Sequence, residues 1–162
     1  MKLRLAVMIG FILTSAYVNA KNMLQKFDKA AYYEAIASKS LAIVNNELDV
    51  LQSLSGNEKE ALEGGLLMKK AGLVKLPKEK LKYFKAGRIK LETAIQADKD
   101  NVEYRFLRLI IEEHAPRIVK YKADISTDAQ LIKKEYKNLS PAVQHAILDY
   151  SKSSKALQQE GL

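Results

Sequence analysis

The chain has 162 residues and no cysteine, so it can form neither a disulfide nor a thiolate metal site. Its length fits a single domain. Its formal charge of +8 falls short of the concentrated positive charge of a dedicated nucleic-acid-binding protein, and we expect no nucleic-acid partner.

The first twenty residues have the layout of a secretory signal peptide. A positively charged start, an apolar stretch and a small, polar end follow one another across residues 1–20. Val18 and Ala20 occupy the positions that the peptidase reads, so the sequence predicts cleavage after Ala20. The apolar stretch is short for an anchor helix, which needs about 20 apolar residues. We therefore expect an exported protein, periplasmic or secreted, whose mature chain of residues 21–162 carries a net charge of +6 and spans no membrane.

The mature chain predicts one all-α domain with seven helices, because no stretch alternates between apolar and polar residues in the manner of a strand. The first two helices are predicted over residues 21–39 and from Leu41 to the break at Ser55. The third is predicted over about residues 58–71, after Ser55 and Glu58 as a capping box. Gly64 and its neighbour Gly65 lie in the middle of this helix, and such glycines indicate the close approach of another helix.

The fourth predicted helix is the long one, over residues 77–97, with Pro77 in its first turn and Gly72 ending the helix before it. The fifth, at 101–113, is apolar around most of its circumference, which places it in the centre of an irregular antiparallel helical bundle. The last two helices are predicted from about residues 127 and 141, and a polar run at 151–154 predicts a frayed end. Three signals open the last three helices: Asp100 with Glu103, Thr127 with Gln130, and Ser140 with Pro141.

The turn between the fourth and fifth helices resembles the inter-repeat turn of tetratricopeptide-repeat proteins. Residues 94–104 read AIQADKDNVEY, where that family has a helix ending in Ala-Leu/Ile, then Asp-Pro-x-Asn-x-Glu and an aromatic residue. Lys99 replaces the usual proline. The small–large–small spacing of the family's second repeat helix is matched by Gly87, Leu91 and Ala94. The resemblance covers about residues 84–108 and implies tetratricopeptide-like helix pairs with a concave ligand surface.

Three stretches also resemble small secreted helical proteins of Bacteroidetes-type bacteria. They are residues 77–80, residues 103–109 and the pair Ser140-Pro141. This resemblance implies an exported location and a helical fold, and it implies no activity.

The fifth helix carries one polar stripe, formed by Arg105, Arg108 and Glu112. Arginines surrounded by apolar residues can reach partly buried carboxylates, where their forked donors fit best, so structural salt bridges are the first interpretation. The second interpretation is a ligand site in which this stripe and Tyr104 bind a protein or peptide. That site would lie on the concave side of the helix pairs, near residues 84–112.

Charge is segregated along the chain, with a net charge of −4 over residues 47–63 and of +8 over residues 69–90. Lys78, Lys82 and Lys85 share one face of the fourth helix because they are spaced four and three residues apart. The first interpretation of this basic stripe is a solvated helix face without a ligand. The functional interpretation is contact with an anionic lipid, an envelope polysaccharide or an acidic partner.

The sequence favours a non-enzymatic scaffold of the cell envelope that binds a protein or peptide partner, with no cofactor and with no catalytic or metal residue assigned. Binding of anionic lipid or polysaccharide through the Lys69–Lys90 stripe is the first alternative. The second is a hydrolase of unrecognised type with His114 or His145 as its base. The spacing of the two histidines matches no metal-binding motif.

Overall fold

Residues 26–161 are described by a computed structural model, in which they form eight α-helices and no strand. The helices are α1 (Lys29–Ala37), α2 (Leu41–Val50), α3 (Gly56–Leu73), α4 (Pro77–Ala97), α5 (Val102–His114), α6 (Ile125–Glu135), α7 (Pro141–Ser151) and α8 (Lys155–Gln159). Short 3-10 turns cover Leu51–Ser53, Arg117–Val119 and Tyr136–Asn138. The predicted all-α fold is confirmed. The predicted signal peptide and its cleavage site lie outside the described residues.

The described residues form one helix more than the seven predicted, because the C-terminal end forms the additional helix α8. The polar run at 151–154 is the connection that precedes it. Ser154 caps α8, since its hydroxyl accepts a hydrogen bond from the Leu157 backbone N–H at 3.1 Å. Ala156 and Leu157 are buried and hold the short helix against the bundle.

The predicted start of the first helix, at residue 21, lies outside the described residues. Residues 26–28 are not helical, and α1 begins at Lys29, where Asp28 caps it by accepting a hydrogen bond from the Ala30 backbone N–H. Gly72 does not end the third helix, because α3 continues to Leu73.

The three residue pairs predicted to cap α3, α5 and α6 differ from the caps in the structure. Asn101, one residue after the predicted Asp100, caps α5 by accepting a hydrogen bond from the Tyr104 backbone N–H at 3.2 Å. Helix α6 begins after Asp124, before the predicted box at Thr127. Ser55 precedes α3 but forms no side-chain capping bond. The two proline predictions are confirmed, because Pro77 and Pro141 lie in the first turns of α4 and α7.

Helices α3 and α4 cross at two glycines with their backbones in contact. A Cβ atom added to Gly64 would lie 2.7 Å from the backbone N of Leu91 and 2.8 Å from the backbone O of Gly87. A Cβ atom on Gly87 would lie 2.5 Å from the backbone O of Gly64. The close approach predicted from the glycine pair is confirmed. Its second member, Gly65, leaves room for the hydroxyl of Tyr32.

Helix α5 lies at the centre of the bundle, as predicted, and packs against α3, α4, α6 and α7. Phe106, Leu107 and Leu109 are at most 1% exposed. The Phe106 ring lies between the rings of Tyr33 and Tyr150, with centroids 5.7 and 5.8 Å away. This central position determines where the polar stripe of the same helix can reach.

Candidate functional site

The polar stripe of α5 meets a buried carboxylate on α6. The Arg108 side chain donates to both oxygens of Asp128, from Nε at 2.7 Å and from Nη2 at 2.8 Å. Arg105 adds a third contact to the same carboxylate, from Nη1 at 3.2 Å. Arg108 is 4% exposed and Asp128 is 0% exposed, so a bidentate ion pair joins α5 to α6 in the interior. The salt bridges expected from the two arginines are present.

The same guanidinium group reaches two further carboxylates. Its Nη1 atom lies 3.3 Å from Glu92 Oε2 on α4 and 3.3 Å from Asp124 Oδ2 at the start of α6. The hydroxyl of Tyr121 donates a hydrogen bond to the other Glu92 oxygen. Arg108 therefore ties α4, α5 and α6 together, and we call these residues with Asp128 the Arg108 network.

Electrostatics in the Arg108 network follow from its burial. Burial lowers the pKa of Arg108, but the hydrogen bond to Asp128 and the nearby carboxylates outweigh it and raise that pKa overall. The pKa of Asp128 is raised because burial outweighs the attraction of the Arg108 guanidinium. Burial and then the hydrogen bond to Glu92 raise the pKa of the Tyr121 hydroxyl.

Glu112, one turn after Arg108, is 0% exposed and only half satisfied. Its Oε2 accepts a hydrogen bond from the Asp124 backbone N–H at 3.1 Å. Its Oε1 has no hydrogen-bond partner among residues 26–161. Burial is the main reason why the pKa of Glu112 rises to about 7; the charges of Asp124 and Asp128 add to this, and the bond from the Asp124 N–H opposes it.

An open cleft of about 390 Å³ lies beside Glu112. One wall belongs to α4 and includes Arg88, Ile89 and Gln96, and the other wall is the segment 120–124. Glu112 lies at the bottom of the cleft because its side chain is buried while the rim residues are exposed. The volume lies within the range of about 300–1,000 Å³ that is typical of small-molecule sites.

The structure separates the four ligand-binding residues predicted from the sequence. Only Glu112 lines the cleft. Arg105 and Arg108 are engaged by Asp128, and Tyr104 is 6% exposed and does not line the cleft.

Sequence reasoning missed the residues that complete the site. These are Glu92, Tyr121, Asp124 and Asp128. No periodic pattern marks them, since each contributes to the site by contacting a residue outside its own segment of the chain. The one available signal was the position of Tyr121 between two lysines in a segment that had no helical pattern of its own.

The three predicted basic contact residues, Lys78, Lys82 and Lys85, lie on α4 before the cleft residues Arg88 and Ile89, and none of the three lines the cleft. All three are exposed, and none forms an ion pair with a carboxylate of the described part of the chain. At the other end of the residue 69–90 segment, Lys90 pairs with Glu60 at 2.9 Å and with Glu63 at 3.4 Å.

The two histidines lie at the surface. His114 Nδ1 is 2.9 Å from the Ile110 backbone O and 3.3 Å from the Tyr150 hydroxyl. His145 Nδ1 is 3.2 Å from Asp149 Oδ2. Across residues 26–161, no group of three or more histidine or carboxylate side chains is arranged to hold a metal ion.

Within the same residues, none of the helices combines the length and the apolar character that crossing a bilayer requires. No protein-family model matches the chain, and neither a curated protein nor a solved structure is significantly similar to it. The tetratricopeptide and Bacteroidetes-type resemblances stay predictions. The function is therefore argued from the geometry of the cleft and of the basic surface.

Proposed function

We propose that the protein is a non-enzymatic, exported binding protein that docks on an anionic lipid surface through the hairpin formed by the end of α3 and the start of α4. We call residues 69–90 the basic hairpin. The observation that carries the proposal is the exposure of lysines that have no carboxylate partner among residues 26–161, beside the exposed side chains of Leu76 and Leu81 near the tip of the hairpin.

The charge of the basic hairpin is not balanced locally. Nine lysine and arginine residues face one glutamate, which gives a net charge of +8, whereas residues 21–162 together carry +6. The rest of the mature chain is therefore slightly acidic, at −2. A positive charge concentrated at one end of a molecule orients that end toward an anionic surface.

Apolar side chains distinguish a lipid surface from a polysaccharide. Leu76 is 60% exposed, Leu81 is 50% exposed and Ile89 is 67% exposed, all on the basic hairpin. Ile89 follows Lys82 and Lys85 by seven and four residues, so it continues their face of α4. Exposed leucines among lysines can enter the interface between headgroups and acyl chains, where both kinds of side chain are favoured. A hydrated polysaccharide offers the leucines no such gain.

The proposal is tested by sedimenting the mature chain with vesicles. Vesicles that contain phosphatidylglycerol should bind the protein, and pure phosphatidylcholine vesicles should not. Reversing the charge of Lys78, Lys82 and Lys85 to glutamate should weaken binding at least about tenfold, because each lysine near an anionic membrane contributes about 1 kcal/mol. The matched control reverses Lys133, Lys137 and Lys155, which are exposed outside the hairpin.

A second pair of variants separates lipid from polysaccharide. Leu81→Ser should reduce vesicle binding, whereas Leu148→Ser, at a 45% exposed leucine on α7, should not. Equal binding to both vesicle types, or equal losses in the hairpin and control variants, would contradict docking through the hairpin.

A protein or peptide partner is the second candidate, and the cleft beside Glu112 favours it. Its α4 wall and its floor are connected by the Arg108 network, so the cleft does not have to be formed on binding. A pull-down by residues 21–162 from envelope extract distinguishes the two candidates. A discrete protein retained at high salt supports the partner, whereas lipid released by salt supports the hairpin.

A further inference from the structure

We propose that the cleft between α4 and residues 120–124 binds a small zwitterion, with its ammonium group against Glu112 and its anionic group at Arg88. This site is separate from the basic hairpin tip and does not depend on lipid docking. The ligand class is that of amino acids with a free amine and a free carboxylate.

Among residues 26–161, no hydrogen-bond donor reaches Glu112 Oε1 at the floor of the cleft. This oxygen is buried, while Oε2 already accepts a hydrogen bond from the Asp124 backbone N–H. A buried acceptor without a partner destabilises the folded protein, and such atoms are rare in folded proteins. A ligand that donates to Oε1 would relieve that destabilisation, which makes this atom the anchor of the site.

The charge around Glu112 specifies a cationic donor. The carboxylates nearby are those of Glu92, Asp124 and Asp128, and all three contact the Arg108 guanidinium. Arg105 contacts one of the three, Asp128. Carboxylates therefore outnumber guanidinium groups at the floor. An ammonium group would supply the missing positive charge and the hydrogen bond together.

The rim of the cleft has the opposite charge. Arg88, Lys120 and Lys122 line it and are exposed. The Arg88 guanidinium lies 4.7 Å from the centroid of the Tyr121 ring, whose cation–π attraction holds it at the edge. A ligand with its ammonium group at the floor would present its other end to these cations, and an anionic group is complementary to them.

A series of simple compounds tests the geometry. The probes are ω-amino acids from glycine to ε-aminohexanoate, with butylamine and butanoate as single-charge references, measured by calorimetry and by amide NMR shifts of the mature chain. We expect one chain length to bind best and to perturb amides of residues 120–124. We expect that zwitterion to bind more tightly than butylamine, and butanoate to bind most weakly.

Glu112→Gln should lower the affinity for the best zwitterion by about ten- to a hundredfold, the range expected for a lost hydrogen bond to a charged group. Glu34→Gln, at an exposed glutamate on α1, is the matched control. Ala123→Trp blocks the cleft from its exposed rim and should abolish binding in a protein whose core is unchanged. The thermal unfolding of each variant is recorded, so that a loss of fold is distinguished from a loss of ligand.

The pH dependence provides an independent readout. Because the pKa of Glu112 is raised to about 7, binding of an ammonium group should weaken as the pH falls below that value. The ionisable groups near Glu112 are Arg108 on its own helix, Asp128 on α6, Asp124 before that helix, Glu92 on α4, and Tyr121. The cations Arg88, Lys120 and Lys122 line the same cleft. Glu112→Gln should remove the dependence on pH between about 6 and 8.

The proposal is overturned if no probe binds at millimolar concentration, or if Glu112→Gln binds the best probe as tightly as the unchanged protein does. It is also overturned if butylamine or butanoate binds as tightly as the best zwitterion. Each of these results leaves the vesicle experiment unaffected, so the two proposals fail separately.

Discussion

Arg108 and Glu112 lie one turn apart on α5, and burial affects them in opposite ways. The positive charge of Arg108 is matched by Asp128 in a bidentate pair, so the guanidinium remains charged in the interior. The charge of Glu112 has no such match, since one of its oxygens has no partner in the described chain. Removing a charge is the cheaper way to bury an unmatched carboxyl group, and its raised pKa follows from this.

The free energy of unfolding should therefore depend on whether the Glu112 carboxyl group is protonated, and so on the pH. In the folded protein its pKa is about 7, above the ordinary value of 4.5. The folded state holds a proton that the unfolded chain releases, so the stabilisation is complete below about pH 4.5 and is lost as the pH rises to about 7. Glu112→Gln keeps the shape of the carboxyl group without this titration. Between pH 4.5 and pH 8, wild type should therefore lose on the order of 3 kcal/mol of unfolding free energy relative to Glu112→Gln.

Denaturant unfolding at several pH values measures this difference. Glu34→Gln, the exposed control on α1, should give a curve parallel to that of wild type. A constant difference between Glu112→Gln and wild type across the whole range would show that Glu112 does not titrate between these values.

The hairpin of α3 and α4 depends on the absence of side chains at its crossing. Gly64 and Gly87 allow the two backbones to touch, and the same contact positions the α4 residues that line one wall of the cleft. Glycine in a helix costs about 1 kcal/mol relative to alanine. At these two positions that cost is offset by packing that no larger residue permits.

Alanine at the crossing should separate the two helices. In Gly87→Ala the new methyl group would lie 2.5 Å from the Gly64 backbone O and 2.9 Å from the Met68 backbone N. Backbone atoms cannot turn aside as a flexible side chain can, so we expect a loss of about 1–3 kcal/mol in the free energy of unfolding. Chemical denaturation measures the loss.

Gly72 provides the matched control on the same hairpin. It lies in the last turn of α3, and a Cβ atom there would meet nothing within 4 Å. Gly72→Ala should therefore be neutral or stabilising by up to about 1 kcal/mol. If Gly87→Ala were as harmless as Gly72→Ala, the two helices would not be in backbone contact.

The molecule as a whole is built around α5. Leu107 is 1% exposed at its centre, and Leu107→Ala should cost about 2–5 kcal/mol because it opens a cavity that several helices line. Ile118→Ala removes a side chain that is 88% exposed and should change stability by less than about 0.5 kcal/mol. Thermal and denaturant unfolding of both variants tests this. A loss below about 1 kcal/mol for Leu107→Ala would contradict a central position of α5 in the core.

The sequence predicted the parts of the fold that depend on one segment at a time. The nearly continuous apolar surface of α5 indicated its central position, and Gly64 indicated the close crossing. Helix α8 was missed because it has only two buried apolar residues, Ala156 and Leu157, too few to establish a period. The caps were displaced because neighbouring polar residues, such as Asp100 and Asn101, satisfy the same pattern.

The candidate site was less predictable because its residues come from different elements. The sequence singled out Glu112 and Arg108 as polar residues in an apolar helix. It offered no means of pairing Arg108 with Asp128. Asp128 follows Thr127, where the sequence predicted only the start of a helix. Only the packing of α6 on α5 brings that carboxylate to the guanidinium.

Only three residues connect α3 to α4, and this short link bears on how the chain folds. Two helices joined by a short loop meet with little loss of chain entropy, so the crossing at Gly64 and Gly87 can form from neighbouring segments alone. The docking of α1 is different, because the hydroxyl of Tyr33 reaches Glu103 across 70 residues of sequence. We therefore expect the hairpin to assemble early and α1 to close the bundle later.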